Sequence, residues 1–175
     1  MPALYIDREG YRARTGDKSV VTDGNLDAQL EMACRTVDRE LGVAPGMFGP
    51  SSATFRFNAN GGTRLWLRDT SDDQYFLRTI TADSLTIDSD GDGSFDDYTW
   101  DFADAWVRGA PENAVTFGEA FTSIELLNRL TTAPLGAWPI AVNCIQIAGT
   151  WGYAVTPGAI IELVVDMVHT VRQSG

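Results

Sequence analysis

Apolar residues keep a helical spacing only near the two ends of this chain, and between the ends they alternate. That switch of period constrains the fold most, because side chains repeating at about 3.6 residues share a helix face and those repeating at 2 share a strand face. Leu26, Leu30, Cys34, Val37 and Leu41 recur at three- and four-residue intervals, with Asp27, Glu31, Arg35, Asp38 and Arg39 on the other side. The spacing predicts an amphipathic helix from Asn25 onward, capped by Asp23 or Asn25 and stopped by Gly42 and Pro45. A shorter helix is expected over residues 7–14, ending at Gly16.

The helical period returns after Thr156, a capping residue, and Pro157, a first-turn residue, and runs to Gln173. Glu162, Asp166, His169 and Gln173 form one narrow polar stripe, while Ile160, Ile161, Leu163, Val164, Val165, Met167, Val168 and Val171 cover the rest. An apolar face this wide implies a central core helix, or one shared between core and subunit interface.

From Ala53 the pattern alternates. Phe55 and Phe57 are followed by Asn58-Ala59-Asn60-Gly61-Gly62, which predicts a hairpin into residues 63–67. Further strands are expected over 75–80, 84–88, 98–102, 121–127 and 142–148, with Tyr98, Trp100 and Phe102 on one sheet face. The fold class implied is α+β: N-terminal and C-terminal helices packed together, with an inserted antiparallel β subdomain. All of 1–175 reads as a single domain, with 1–50 and 151–175 as its helical part and 51–150 as its β-rich part.

Charge is local. Residues 69–104 hold eleven Asp and one base, Arg78, whereas the rest of the chain carries 13 acids and 12 bases. A net charge of −11 is the wrong sign for gripping a phosphate backbone. No charged leader with an apolar core opens the sequence and no uncharged run of 18 apolar residues occurs, so manufacture in a cytoplasm-like compartment is expected.

Within the acidic segment, Asp88, Asp90, Asp92, Gly93 and Asp96 match positions one, three, five, six and nine of an EF-hand-type calcium loop. Position twelve is Thr99 where a bidentate Glu belongs, and a strand rather than a helix leads in. Asp88, Asp90, Asp92 and Asp96 are the candidate metal ligands, set against the plainer reading of a solvated hairpin tip. No cofactor is expected beyond, at most, a weakly held calcium ion.

Enzyme chemistry lacks its parts. His169 is the only histidine and sits on a helix stripe beside Asp166, no Gly-x-Ser-x-Gly or Walker loop occurs, and Cys34 and Cys144 read as buried apolar residues rather than zinc ligands. The five Trp, at 66, 100, 106, 138 and 151, read as core and interface bulk.

Two stretches carry a resemblance: Ala33-Cys34-Arg35-Thr36-Val37-Asp38-Arg39-Glu40-Leu41-Gly42 on the first long helix, and Ile145-Gln146-Ile147-Ala148-Gly149-Thr150-Trp151-Gly152-Tyr153 leading through Pro157 into the last. With a β insertion between them, the chain resembles the head-to-tail adaptor (head–tail connector) proteins of long-tailed bacteriophages, especially those infecting actinobacteria. Where the family commonly has a small residue and Ser before Arg-x-x-Asp-Arg, this chain has Ala33-Cys34. The resemblance implies a non-enzymatic structural protein of the virion neck. Its copies would form a ring, twelvefold in the family, beneath the portal ring, extending the channel through which DNA passes and carrying the stopper. Contacts with neighbours or portal are then expected at Arg8, Arg12, Arg14, Val164, Val168, Val171 and Arg172. The alternatives are a calcium-dependent binding module with a glycan on its Trp residues, or another neck or tail component such as the stopper or tail terminator.

Overall fold

The computed structural model describes residues 4–17, 23–78, 84–101, 107–110, 120–126 and 136–173. Helix α1 (Arg8–Thr15) opens on Asp7, whose carboxylate accepts from the Gly10 amide, and ends at Gly16 in the left-handed conformation. Helix α2 (Asp23–Glu40) buries Leu26, Leu30, Cys34 and Val37. Leu41, the last of the predicted stripe, is half exposed, because Gly42 turns left-handed and ends the helix first. Helix α3 (Gly158–Gln173) packs on α2 and α1. None of these helices is long and apolar enough to cross a membrane.

The β part is two antiparallel sheets. Strands β1 (Ser51–Asn60), β3 (Ser84–Ile87), β4 (Tyr98–Asp101) and β7 (Ile140–Trp151) form one sheet in the order β1-β7-β3-β4. Strands β2 (Arg64–Trp66), β5 (Val107–Ala110) and β6 (Ser123–Leu126) form the other in the order β2-β6-β5. Register gives each face of the first sheet its character. Phe55, Ile147, Leu85 and Trp100 line up across it, as do Phe57, Ile145, Ile87 and Tyr98, while Arg56, Gln146, Thr86 and Thr99 make a polar row on the reverse face.

The expected hairpin at Asn58–Gly62 is corrected: β1 pairs with β7, and the turn carries the chain to the second sheet, where β2 pairs with β6. Burying Phe55 and Phe57 against Ile147 and Ile145 over a long register outweighs closing a local turn onto a three-residue strand. In the segment expected as a strand over 75–80, among the described residues only Leu77 makes isolated bridges, to Phe121 and Trp151, and the last two residues lie outside the described ones. Residues 102 and 127, expected to continue strands, lie outside them too; β5 was not expected at all.

Trp151 anchors the end of β7 in the β body, next to the place where the α2 loop meets Gly152. Its ring packs against Phe55, Phe57 and Tyr75, and its Nε1–H donates to the Ala53 carbonyl at 3.0 Å. The next residue, Gly152, has φ +78°, and a Cβ there would lie 2.0 Å from the Gly49 carbonyl oxygen. Trp100 and Trp138 are also buried; Trp66 is half exposed under Arg64, and residue 106 lies outside the described ones. Helix α3 is less central than its composition implies, since Leu163 and Val171 face outward while Val164, Val165 and Val168 are buried.

Candidate functional site

Strands β3 and β4 pair with Ile87 opposite Tyr98, so residues 88–97 form the loop of a β-hairpin rather than the loop between two helices. Asp88 is buried, and its two carboxylate oxygens accept from the amides of Gly91 (2.7 Å) and Gly93 (3.0 Å), both glycines with positive φ. Asp90 accepts from the Asp92 amide and Asp92 from the Ser94 amide. Across the loop, Asp97 Oδ2 accepts from the Ser89 amide (2.6 Å), the Ser89 hydroxyl (2.7 Å) and the Asp90 amide. The Ser89 hydrogen bonds hold the Asp97 carboxyl below the usual carboxylate range.

Carboxylate oxygens of Asp88, Asp90 and Asp97 lie within 4.8 Å of one another. Three oxygens could anchor a hard cation whose shell of six to eight ligands is completed by water. Two of the four expected ligands, Asp88 and Asp90, belong to this cluster; Asp92 and Asp96 do not, because a hairpin rather than an EF-hand frames the loop. Asp97 was missed. It faces Asp88 by simple counting once Ile87 is paired with Tyr98.

The expected interface residues fall into two groups. Arg8 pairs with Asp27, Arg14 with Glu162 at 3.2 Å, and Arg172 with Asp17 at 3.1 Å and with Gln29. Arg12 lies on α1, with its Nε buried. Arg8, Arg14 and Arg172 thus tie α1, α2 and α3 to one another within the protomer. Val164 and Val168 are buried in the protomer core, and of the three valines only Val171 is exposed. His169 sits opposite Gln173, at 2.7 Å, rather than Asp166.

The loop that follows α2 bridges the two stretches that carry the family resemblance. Asp38 is buried and accepts from the Tyr5 hydroxyl, from Arg35 Nη1 (2.6 Å) and from the Gly46 amide (3.1 Å). The loop that follows α2 then lies under Gly152, and Phe48 stacks on Tyr153 with ring centroids 6.1 Å apart. Asp38 of the first stretch and Gly152 and Tyr153 of the second therefore hold one loop, at Gly46 and at Phe48 and Gly49.

Two apolar surfaces remain. A groove of about 430 Å³ runs between α2 and α3, lined by Met32, Ala33, Thr36, Met167, Val171 and their neighbours, with Met32 58% and Val171 48% exposed. At the far end of β7, Ile140 and Val142 are 84% and 72% exposed. A register shift between Phe57 and Ala59, with Asn143 at φ +54°, marks a bulge that aims Cys144 inward and Val142 outward. The α3 side of the groove falls on the helix face expected to be shared with a subunit interface, through Val171; the patch at Ile140 and Val142 was not expected from sequence. No family model matches this chain, and no curated protein is significantly similar to it.

Proposed function

We propose that the chain is a structural neck protein of a tailed bacteriophage, a head-to-tail adaptor whose copies form a ring beneath the portal and extend the DNA channel towards the tail. The observation that carries this reading is the joint just described. The two stretches that resemble the adaptor family lie far apart in sequence, yet Asp38 of the first holds the α2 loop at Gly46, and that loop meets Gly152 and Tyr153 of the second through Gly49 and Phe48. A shared joint of this kind accounts for both stretches at once as fold-defining residues. Exposed apolar surface at two ends of the protomer suits a subunit that finishes its burial by association. The acidic hairpin would repel a DNA duplex rather than hold it, which suits a conduit. No catalytic role is proposed; the localisation is the head–tail junction of the virion after synthesis in the host cytoplasm.

The test is native mass spectrometry of the purified chain, alone and with the portal ring encoded beside it. A closed-ring mass, free or on the portal, is the expected result. A monomer indifferent to portal would sink the reading.

A second reading, a calcium-dependent binding module, draws on the Asp88, Asp90 and Asp97 cluster. Calcium titration followed by calorimetry tests it: uptake of one ion at micromolar concentration by a chain that ignores portal would put this reading first.

A further inference from the structure

We propose that the bulged start of β7 is the contact by which one copy of this chain joins the next, with Ile140 and Val142 of one copy seated in the α2–α3 groove of its neighbour. The inference rests on the neck-ring reading and names the surfaces that such a ring would use.

The two surfaces differ in kind. One is convex, a pair of β-branched residues pushed out by a bulge with a non-glycine residue at positive φ; the other is a concave apolar trough between two helices. They also lie apart. Trp151, at the other end of β7, leads into the segment before α3, and Ile140 sits roughly 35 Å along the strand from it at the usual strand rise. Two surfaces of opposite shape at separate places on one chain suit a contact in which each copy presents its knob to one neighbour and its groove to another. They match head to tail, the heterologous geometry that closes into rings when the rotation allows.

Polar groups agree with the pairing. Asp166 lines the groove, and its carboxylate has no partner among the described residues. Beside the knob, the Asn58 and Asn60 side-chain oxygens accept from the Asn143 and Gly62 amides, which leaves their N–H groups as donors for a neighbour's carboxylate. Residues 139–143 include no charge to bury.

The size of the contact fits a subunit added to a template rather than a free dimer. Ile140, Val142, Met32 and Val171 together expose on the order of 500 Å², about a third of the ~1,600 Å² buried by a stable interface. Such a contact holds once neighbours are presented side by side and each subunit is gripped at both ends.

Two cysteine variants test the contact, with Cys34 and Cys144 buried and silent in the background. Met32→Cys and Val142→Cys chains are mixed at high concentration, or on the portal ring, and oxidised. A mixed disulfide is expected, with neither variant linking to itself above the wild-type level. Adding Ile140→Asp to the Val142→Cys chain should cut the yield about tenfold while circular dichroism stays unchanged, and Val171→Glu in the groove chain should do the same. Equal self-linking by either variant alone, or a yield unmoved by Ile140→Asp and Val171→Glu, would overturn the proposal. A ring mass without the mixed disulfide would overturn this contact and leave the neck reading standing. Absence of both would overturn the two together.

Discussion

The hydroxyl of Tyr5 donates to the carboxylate of Asp38, thirty-three residues on, and pins the N-terminal segment to the end of α2. Both side chains are buried, and the same carboxylate also receives Arg35 and the Gly46 amide. Burial raises the Tyr5 phenol well above its ordinary range, and the hydrogen bond to Asp38 adds to that.

Removing that carboxylate leaves three donors facing nothing. Asp38→Ala is expected to lose about 3 to 5 kcal/mol in urea unfolding, the cost of breaking a buried, hydrogen-bonded charge. Asp38→Asn keeps an acceptor for Tyr5 and should lose less. A loss under about 1 kcal/mol for the alanine variant would show that Asp38 is not the centre of the joint.

Asp38 and Asp27 pull the pH profile in opposite directions. Burial holds Asp38 above the usual carboxylate range against the lowering effects of Tyr5, Gly46 and Arg35. Its native state therefore binds the proton more tightly than the unfolded chain, so its contribution is full below about pH 3.9 and is lost as pH rises through the higher native value. The Arg8 hydrogen bond lowers Asp27, and the Ser89 hydrogen bonds lower Asp97, so their contributions are present above about pH 3.9 and are lost as pH falls through the lower native values. Urea midpoints measured across pH should show Asp38→Asn removing a decline above that value and Asp27→Asn shrinking the acid limb below it. Unchanged slopes in both variants would contradict these assignments.

Cys34 and Cys144 are fully buried, and burial pushes both thiols up. Neither should react with a thiol reagent at pH 8 in the folded protein, and labelling should follow the unfolding transition in denaturant. Rapid labelling of either residue in buffer would place that thiol at the surface.

Gly152→Ala forces a methyl onto the Gly49 carbonyl in a left-handed backbone conformation. The expected loss is at least about 3 kcal/mol, from the clash and the φ together. Gly16→Ala, also at positive φ but with open space around it, serves as the comparison and should lose about 1 kcal/mol. Similar losses at the two sites would mean that the close approach at Gly152 relaxes without consequence.

The helices were legible because their signals are local: Asp7 and Gly16 cap α1, and the three- and four-residue intervals from Leu26 to Val37 set the buried face of α2. Pairing in the sheets was not. Asn60-Gly61-Gly62 reads as a hairpin turn, yet the partner of Phe57 is Ile145, and nothing near Phe57 encodes a contact that distant. The acidic loop was legible in part. A helix-framed template counts forward to Asp96, whereas antiparallel pairing folds the loop back and sets Asp97 against Ser89. The arginine pairs show the same gap. Charge spacing predicts where Arg8 and Arg14 can reach, but their engagement with Asp27 and Glu162 depends on where α2 and α3 come to rest.

Ser51 is paired with Trp151, so the chain enters the larger sheet and leaves it at one spot, beside the helices. The β body is thus attached by two adjacent covalent crossings. A single strand can swivel about its own axis; a pair held in register cannot. A twist applied to the β body is therefore resisted by two adjacent crossings rather than by one.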